Sequence, residues 1–175
     1  MGSLDSPGDG PRTAPESLPV DILIVDDTPA NLLAYRELLQ QPGWNIVTVD
    51  SGAGALQEAL RRDFAVFLLD VRMPGIDGLE LAQLFRSRDR LRFTPIVFMS
   101  AHDRMPADVA KGYLAGGIDY LFSPVDGDLL RHKVAACVEL YRRNAGLRRE
   151  NEELRKGNDQ LKRLLLRGHQ DPHVP

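Results

Sequence analysis

The chain reads as an α/β protein: a five-stranded parallel sheet with helices on both faces, and a long C-terminal helix extending from the domain. Three observations carry this reading. Short apolar runs ending in polar groups (Asp21-Ile-Leu-Ile-Val25 before Asp26-Asp27, Ala65-Val-Phe-Leu-Leu-Asp70, Thr94-Pro-Ile-Val-Phe-Met-Ser100) alternate with stretches of helical periodicity. The runs are apolar throughout rather than at every second residue, as in strands covered on both faces. After Val125 no proline interrupts the chain until past Asp171, and leucine recurs there every seven residues.

Each element follows from its residues. Residues 1–19, with Pro7, Pro11, Pro15 and Pro19 among Gly, Ser and Asp, bury too little to offset ordering entropy and are expected to be a disordered leader. Asp21–Val25 is the first strand. Pro29 suits a first helical turn, Leu32, Leu33, Tyr35, Leu38 and Leu39 provide an apolar face, and Pro42-Gly43 ends the helix. Asn45-Ile-Val-Thr-Val49 is β-branched and extended. Ser51 caps a helix to about Arg62, with Ala55, Leu56, Ala59 and Leu60 inward. The run Ala65–Asp70 is a strand stopped by Pro74, Gly75 and Gly78. A helix from about Asp77 to Arg88 turns Leu79, Leu81, Ala82, Leu84 and Phe85 inward. Thr94–Ser100 is the fourth strand, residues 105–116 a helix ended by Gly116-Gly117, and Ile118-Asp-Tyr-Leu-Phe122 a short fifth strand. Asp126 caps the last helix.

Strictly alternating strands and helices imply parallel pairing with right-handed crossovers. At this length the flavodoxin-like order 2-1-3-4-5 is the natural one, with its switch point between strands 1 and 3. Strand 1 ends in Asp26-Asp27 and strand 3 in Asp70, so three carboxylates converge on the crevice where open α/β sheets place their ligands. A single Asp at a strand end is commonly a turn former; three beside one switch point form a pattern.

Carboxylates held this close require a proton or a cation. All-oxygen donors favour a hard divalent ion such as Mg²⁺. Beside that charge one carboxylate can attack phosphorus and form an aspartyl-phosphate. Ser100, ending the neighbouring strand, is placed to hydrogen-bond a phosphoryl oxygen. A haloacid-dehalogenase-like phosphatase also uses an Asp nucleophile, but wants a second Asp two residues on, where this chain has Arg72.

Over about residues 20–141 the sequence resembles the receiver domain of two-component response regulators. The resemblance rests on Val25-Asp26-Asp27, on Leu69-Asp70 with Met73-Pro-Gly-Ile-Asp-Gly78, on Met99-Ser100-Ala101, and on Gly117-Ile-Asp-Tyr120 before Ser123-Pro124. It implies a phosphoacceptor rather than an enzyme, with at most self-phosphorylation and self-dephosphorylation. Asp70 would take a phosphoryl group from a histidine kinase or phosphotransfer protein. Asp27, Asp70 and the Arg72 backbone carbonyl would hold Mg²⁺, with Asp26 acting largely through water. Ser100 would move toward the phosphate, Tyr120 would swing inward with it, and the Ser123-Pro124 bond would be cis. Output would pass to a downstream protein target through the face of the fourth and fifth helices.

One position departs from the family. Ser123 stands where a lysine normally precedes the proline, so an ammonium that would pair with the acceptor carboxylate and phosphoryl oxygens is replaced by a hydroxyl. A charge-assisted bond contributes roughly 1.5–3 kcal/mol. Two readings follow: phosphorylation persists with weaker coupling to the switch, or the domain is a phosphorylation-independent pseudo-receiver, a scaffold or adaptor. Arg72, His102 and Arg104 lie on loops at the same sheet edge and are candidates to supply the missing charge.

The C-terminal stretch has its own logic. Leu140, Leu147, Leu154 and Leu161 as d positions place Cys137, Asn144, Asn151, Asn158 and Leu165 at a, the pattern of a parallel two-stranded coiled coil whose asparagines trade stability for register. The last helix is thus expected from about Gly127 to Leu166. Leu129, Leu130, Val134 and Val138 should pack on the sheet, residues 142–167 should form a homodimeric coiled coil, and 168–175 a disordered tail. Residues 141–167 hold nine Lys/Arg against four Asp/Glu, which leaves −8 of the total −3 on the rest. The basic residues are interleaved with Glu150, Glu152, Glu153 and Asp159, as on a solvated coiled-coil surface, which argues against nucleic acid. No apolar stretch reaches the ~18 residues of a membrane span. One cysteine, Cys137, allows no internal disulfide and suits a reducing cytoplasm.

Overall fold

The structure, a computed structural model, describes residues 19–100 and 106–168, with side chains over 19–100 and 109–165. The strands are β1 (Val20–Val25), β2 (Trp44–Val49), β3 (Val66–Asp70), β4 (Ile96–Ser100) and β5 (Asp119–Phe122). They alternate with α1 (Pro29–Leu39), α2 (Gly52–Arg61), α3 (Gly78–Arg86), α4 (Pro106–Leu114) and α5 (Gly127–Gly168). All pairings are parallel and the sheet order is β2-β1-β3-β4-β5, the doubly wound arrangement expected.

The two-residue period of the strands divides the core into two layers. Leu23 and Val25 of β1, Phe67 and Leu69 of β3, and Phe98 of β4 face Ala55 and Ala59 of α2 and Leu81, Ala82 and Phe85 of α3. Ile22, Ile24, Val66, Leu68 and Val97 face Tyr35 and Leu39 of α1 and Leu130, Val134, Cys137 and Val138 of α5. Ser51 and Asp126 cap their helices as expected, Ser51 Oγ accepting from Gly54 N at 3.3 Å and Asp126 from Leu129 N at 3.0 Å; Asp77 also caps, accepting from Glu80 N at 2.8 Å.

Three of the expected inward residues point out instead, and a fourth is less covered than expected. Leu33, Leu60 and Leu129 are 60%, 57% and 47% exposed, and Leu84 is only partly buried. Each helix covers a narrow strip of sheet, so a leucine at the margin of the apolar arc stays in water while its neighbours Leu39, Ala59 and Leu130 are buried.

The last helix runs unbroken for 42 residues, about 60 Å at ~1.5 Å per residue. Its first turns pack on the sheet and the remainder projects away, with Leu140, Leu147, Leu154 and Leu161 50–66% exposed. Cys137, expected at an a position of the seam, is instead buried at 5% against its own sheet. Burial lifts its thiol to about 11, and because this side chain is taken up by its own sheet, any seam starts beyond it. The expected leader lies outside the described residues except for Pro19. So does the expected tail, except for Gly168, the last residue of α5. Among the described residues no helix is long and apolar enough to cross a membrane.

Candidate functional site

Parallel pairing puts the ends of β1, β3 and β4 side by side, since Val25 pairs with Leu69 and Asp70 with Met99. The residues that follow line a cleft of about 190 Å³: Asp26, Asp27, Thr28, Asn31, Tyr35, Asp70, Arg72, Met99, Ser100 and Ser123. Oxygen atoms of Asp26, Asp27 and Asp70 lie within 4.8 Å of one another.

The three carboxylates sit in different surroundings. Asp26 is buried, and its oxygens accept from Thr28 N at 2.8 Å and from Asn31 Nδ2 at 3.0 and 3.2 Å. Burial pushes its pKa upward, with a smaller upward push from the Asp27 charge. Asp27 is exposed. Asp70 is half-buried and accepts from Arg72 N at 3.3 Å. Its pKa rises to about 6, chiefly through burial, then through the charges of Asp26 and Asp27. Three anionic oxygens in one partly dry mouth fit a small divalent cation, whose charge would offset this repulsion.

The loop after Asp70 is held by close contact. Gly78 N donates to Val71 O at 3.1 Å, and a Cβ at Gly78 would lie 2.1 Å from the Asp70 carbonyl oxygen. Only a residue without a side chain lets the start of α3 approach this near. Gly75, with φ 76°, makes the turn between them.

On the other side of the cleft, Ser123 N donates to Ser100 O at 2.8 Å, and Ser123-Pro124 is cis. Tyr120 is not among the cleft residues. It is 8% exposed, lies in the core layer beneath α4, and rests against Phe98, Tyr113 and Phe122 at centroid separations of 5.1, 5.9 and 5.8 Å. Tyr120 thus points inward in this structure. Arg72 lines the cleft; His102 and Arg104 fall outside the described residues.

Two contributors escaped the sequence reading. Asn31 fixes Asp26, and Tyr35 reaches the cleft that Ser123 also lines. Burial, with the charge of Asp26 next, lifts the Tyr35 phenol above its ordinary pKa. Asn31 and Tyr35 are one helical turn apart on the face of α1 that meets the end of β1, and that spacing was the available signal.

An acidic cleft at the switch point of a 2-1-3-4-5 sheet defines a class of doubly wound domains that bind ligands at strand ends. Residues 22–135 match the response regulator receiver domain, and the chain belongs to that family. It is 35% identical over 137 residues to the sensor protein GacS of Pseudomonas syringae pv. syringae, covering 76% of this chain and 15% of that one. The chain therefore spans only a small part of such sensor kinases. Among solved structures it is similar to the chemotaxis protein CheY4 of Vibrio cholerae, with TM-score 0.64, 26% identity, and 68% of this chain and 98% of that one covered. The receiver domain of the sensor histidine kinase PA1611 from Pseudomonas aeruginosa PAO1 gives 0.63 and 26%, over 69% of this chain and 98% of that one. This is a receiver domain of two-component signalling.

Proposed function

We propose that Asp70 is the phosphoacceptor, taking a phosphoryl group from a histidine kinase or phosphotransfer protein. The observation behind this reading is the gathering of Asp26, Asp27 and Asp70 oxygens within 4.8 Å in a cleft that also holds Ser100. An Asp70 oxygen attacks phosphorus, and the bond from phosphorus to the donor nitrogen breaks. The imidazole leaves with the electron pair and takes up a proton. Asp70 becomes a mixed carboxylic–phosphoric anhydride. Asp27, Asp70 and the Arg72 carbonyl would hold Mg²⁺, with Asp26 behind them. The PA1611 receiver domain was solved with magnesium coordinated in its active-site cleft. A bound divalent ion supplies neutralisation of the phosphoryl charge. Ser100 donates to a phosphoryl oxygen and couples it to the region of Tyr120. Output passes through protein contacts and through pairing of two copies along α5.

A second reading, the phosphorylation-independent scaffold, is favoured by Ser123 alone. Incubation with Mg²⁺ and acetyl phosphate, followed by intact-mass measurement, separates the two. A gain of one phosphoryl group, lost in Asp70→Asn, is the expected result. An unchanged mass in the wild-type protein would leave the scaffold.

A further inference from the structure

Among the described residues lining the cleft, Arg72 is the sole cation, and no lysine is present. Ser123 stands on the β5 side, and its side chain ends one atom beyond Cβ, far short of a lysine's reach. Tyr35 enters from the opposite side, on α1. Its ring is 6% exposed, packed with Ile22, Ile24 and Leu39 in the core layer that α1 shares with α5. Tyr35 nevertheless lines the cleft, together with Ser123 and Asp70, and the Ser123 side chain is near enough to act on its phenol. A buried tyrosine normally places its hydroxyl on a partner; the residue standing where the lysine is missing shares the cleft with it. The ring is rigid and held by the core, so the hydroxyl is aimed without the entropy loss of ordering a long flexible side chain.

Resting on the phosphoacceptor reading, we infer that the hydroxyls of Tyr35 and Ser123 each donate to a phosphoryl oxygen on Asp70 and so do the work of the replaced lysine. The phenol carries its proton at neutral pH and serves as a donor. Because the pair is uncharged, it holds the phosphoryl group by direction rather than by charge, and the lysine form of this site should bind an anion more tightly.

Beryllofluoride, a phosphoryl mimic, tests this in the full-length protein with Mg²⁺, by NMR titration. Tyr35→Phe keeps the ring and removes only the hydroxyl. It should weaken beryllofluoride binding about tenfold and leave Mg²⁺ affinity unchanged. Ser123→Ala should weaken it in the same direction. Ser123→Lys, placed on Tyr35→Phe, should restore at least wild-type affinity, because an ammonium makes the phenol redundant. If Tyr35→Phe binds beryllofluoride as the wild type does, or loses Mg²⁺ in parallel, Tyr35 is a packing residue and the inference fails alone. If the wild-type protein binds Mg²⁺ but no beryllofluoride, the phosphoacceptor reading falls and takes the inference with it.

Discussion

The Tyr120 hydroxyl rests against α4 where a side chain at residue 112 would begin: a Cβ on Gly112 would lie 1.8 Å from it. The aromatic ring between β4 and α4 thus depends on a missing methyl group. The inward position of Tyr120 follows from this gap, together with Phe98 and Phe122 on either side.

Gly112→Ala should therefore expel the ring. Alanine favours the helix by up to about 1 kcal/mol, while overpacking costs about 1–3 kcal/mol, so a net loss near 1 kcal/mol is expected in denaturant unfolding. The specific readout is the Tyr120 ring signal by NMR, which should shift toward a solvated environment. A ring that keeps its wild-type shifts would show that α4 moves instead.

The contact at Gly78 is less forgiving, because the atom facing it belongs to the Asp70 backbone. Gly78→Ala must displace either the start of α3 or the end of β3. Stability should fall by about 2–3 kcal/mol, and Mg²⁺ affinity should fall with it, since Asp70 moves. A stable Gly78→Ala protein with unchanged Mg²⁺ binding would refute the link between this glycine and the site.

Asp70 makes the metal-free protein sensitive to pH. Its native pKa is raised to about 6, against about 3.9 in an unfolded chain. Between those values folding takes up a proton, so stability falls as pH rises from about 4 to about 6 and stays low above. The loss is on the order of 1–2 kcal/mol, because the half-buried group is partly screened. Thermal unfolding in a chelator should show this slope, and Asp70→Asn should flatten most of it. Added Mg²⁺ should recover stability above pH 6 by mass action. A slope unaltered in Asp70→Asn would assign the effect to another group.

Asn31→Ala strips the Asp26 carboxylate of its side-chain bonds and leaves a buried oxygen short of partners. A loss of about 1–3 kcal/mol is expected, larger at pH 7 than at pH 4, where Asp26 is closer to neutral. Equal losses at both pH values would mean that the amide contributes packing rather than charge stabilisation.

Among the described residues, Leu140, Leu147, Leu154 and Leu161 form a stripe along α5 in which each residue is at least half exposed. Helices in proteins draw most of their stability from packing an apolar face rather than from propensity; a second copy would bury the stripe. Light scattering should give a dimer for the full chain and a monomer for a version ending at Tyr141. Two monomers would remove the coiled coil.

Much of this was legible in the sequence. Apolar runs too short for helices and punctuated by Gly and Pro mark β1, β3 and β4, and a parallel sheet with right-handed crossovers leaves few orders for five strands. Asp26, Asp27 and Asp70 follow such runs, so their convergence was readable before any coordinates, because strand direction in a parallel sheet fixes which ends meet. Tertiary packing decided the rest. Periodicity names an apolar arc, but the width of the sheet beneath decides that Leu39 is buried and Leu33 is not. The same pattern that places Cys137 on a seam also fits the sheet face of α5, and the sheet takes it. Tyr35 looks like one more apolar residue of α1 until β5 brings Ser123 beside its hydroxyl. Residues so far apart along the chain carry no local trace of one another, and only the folded arrangement makes them a pair.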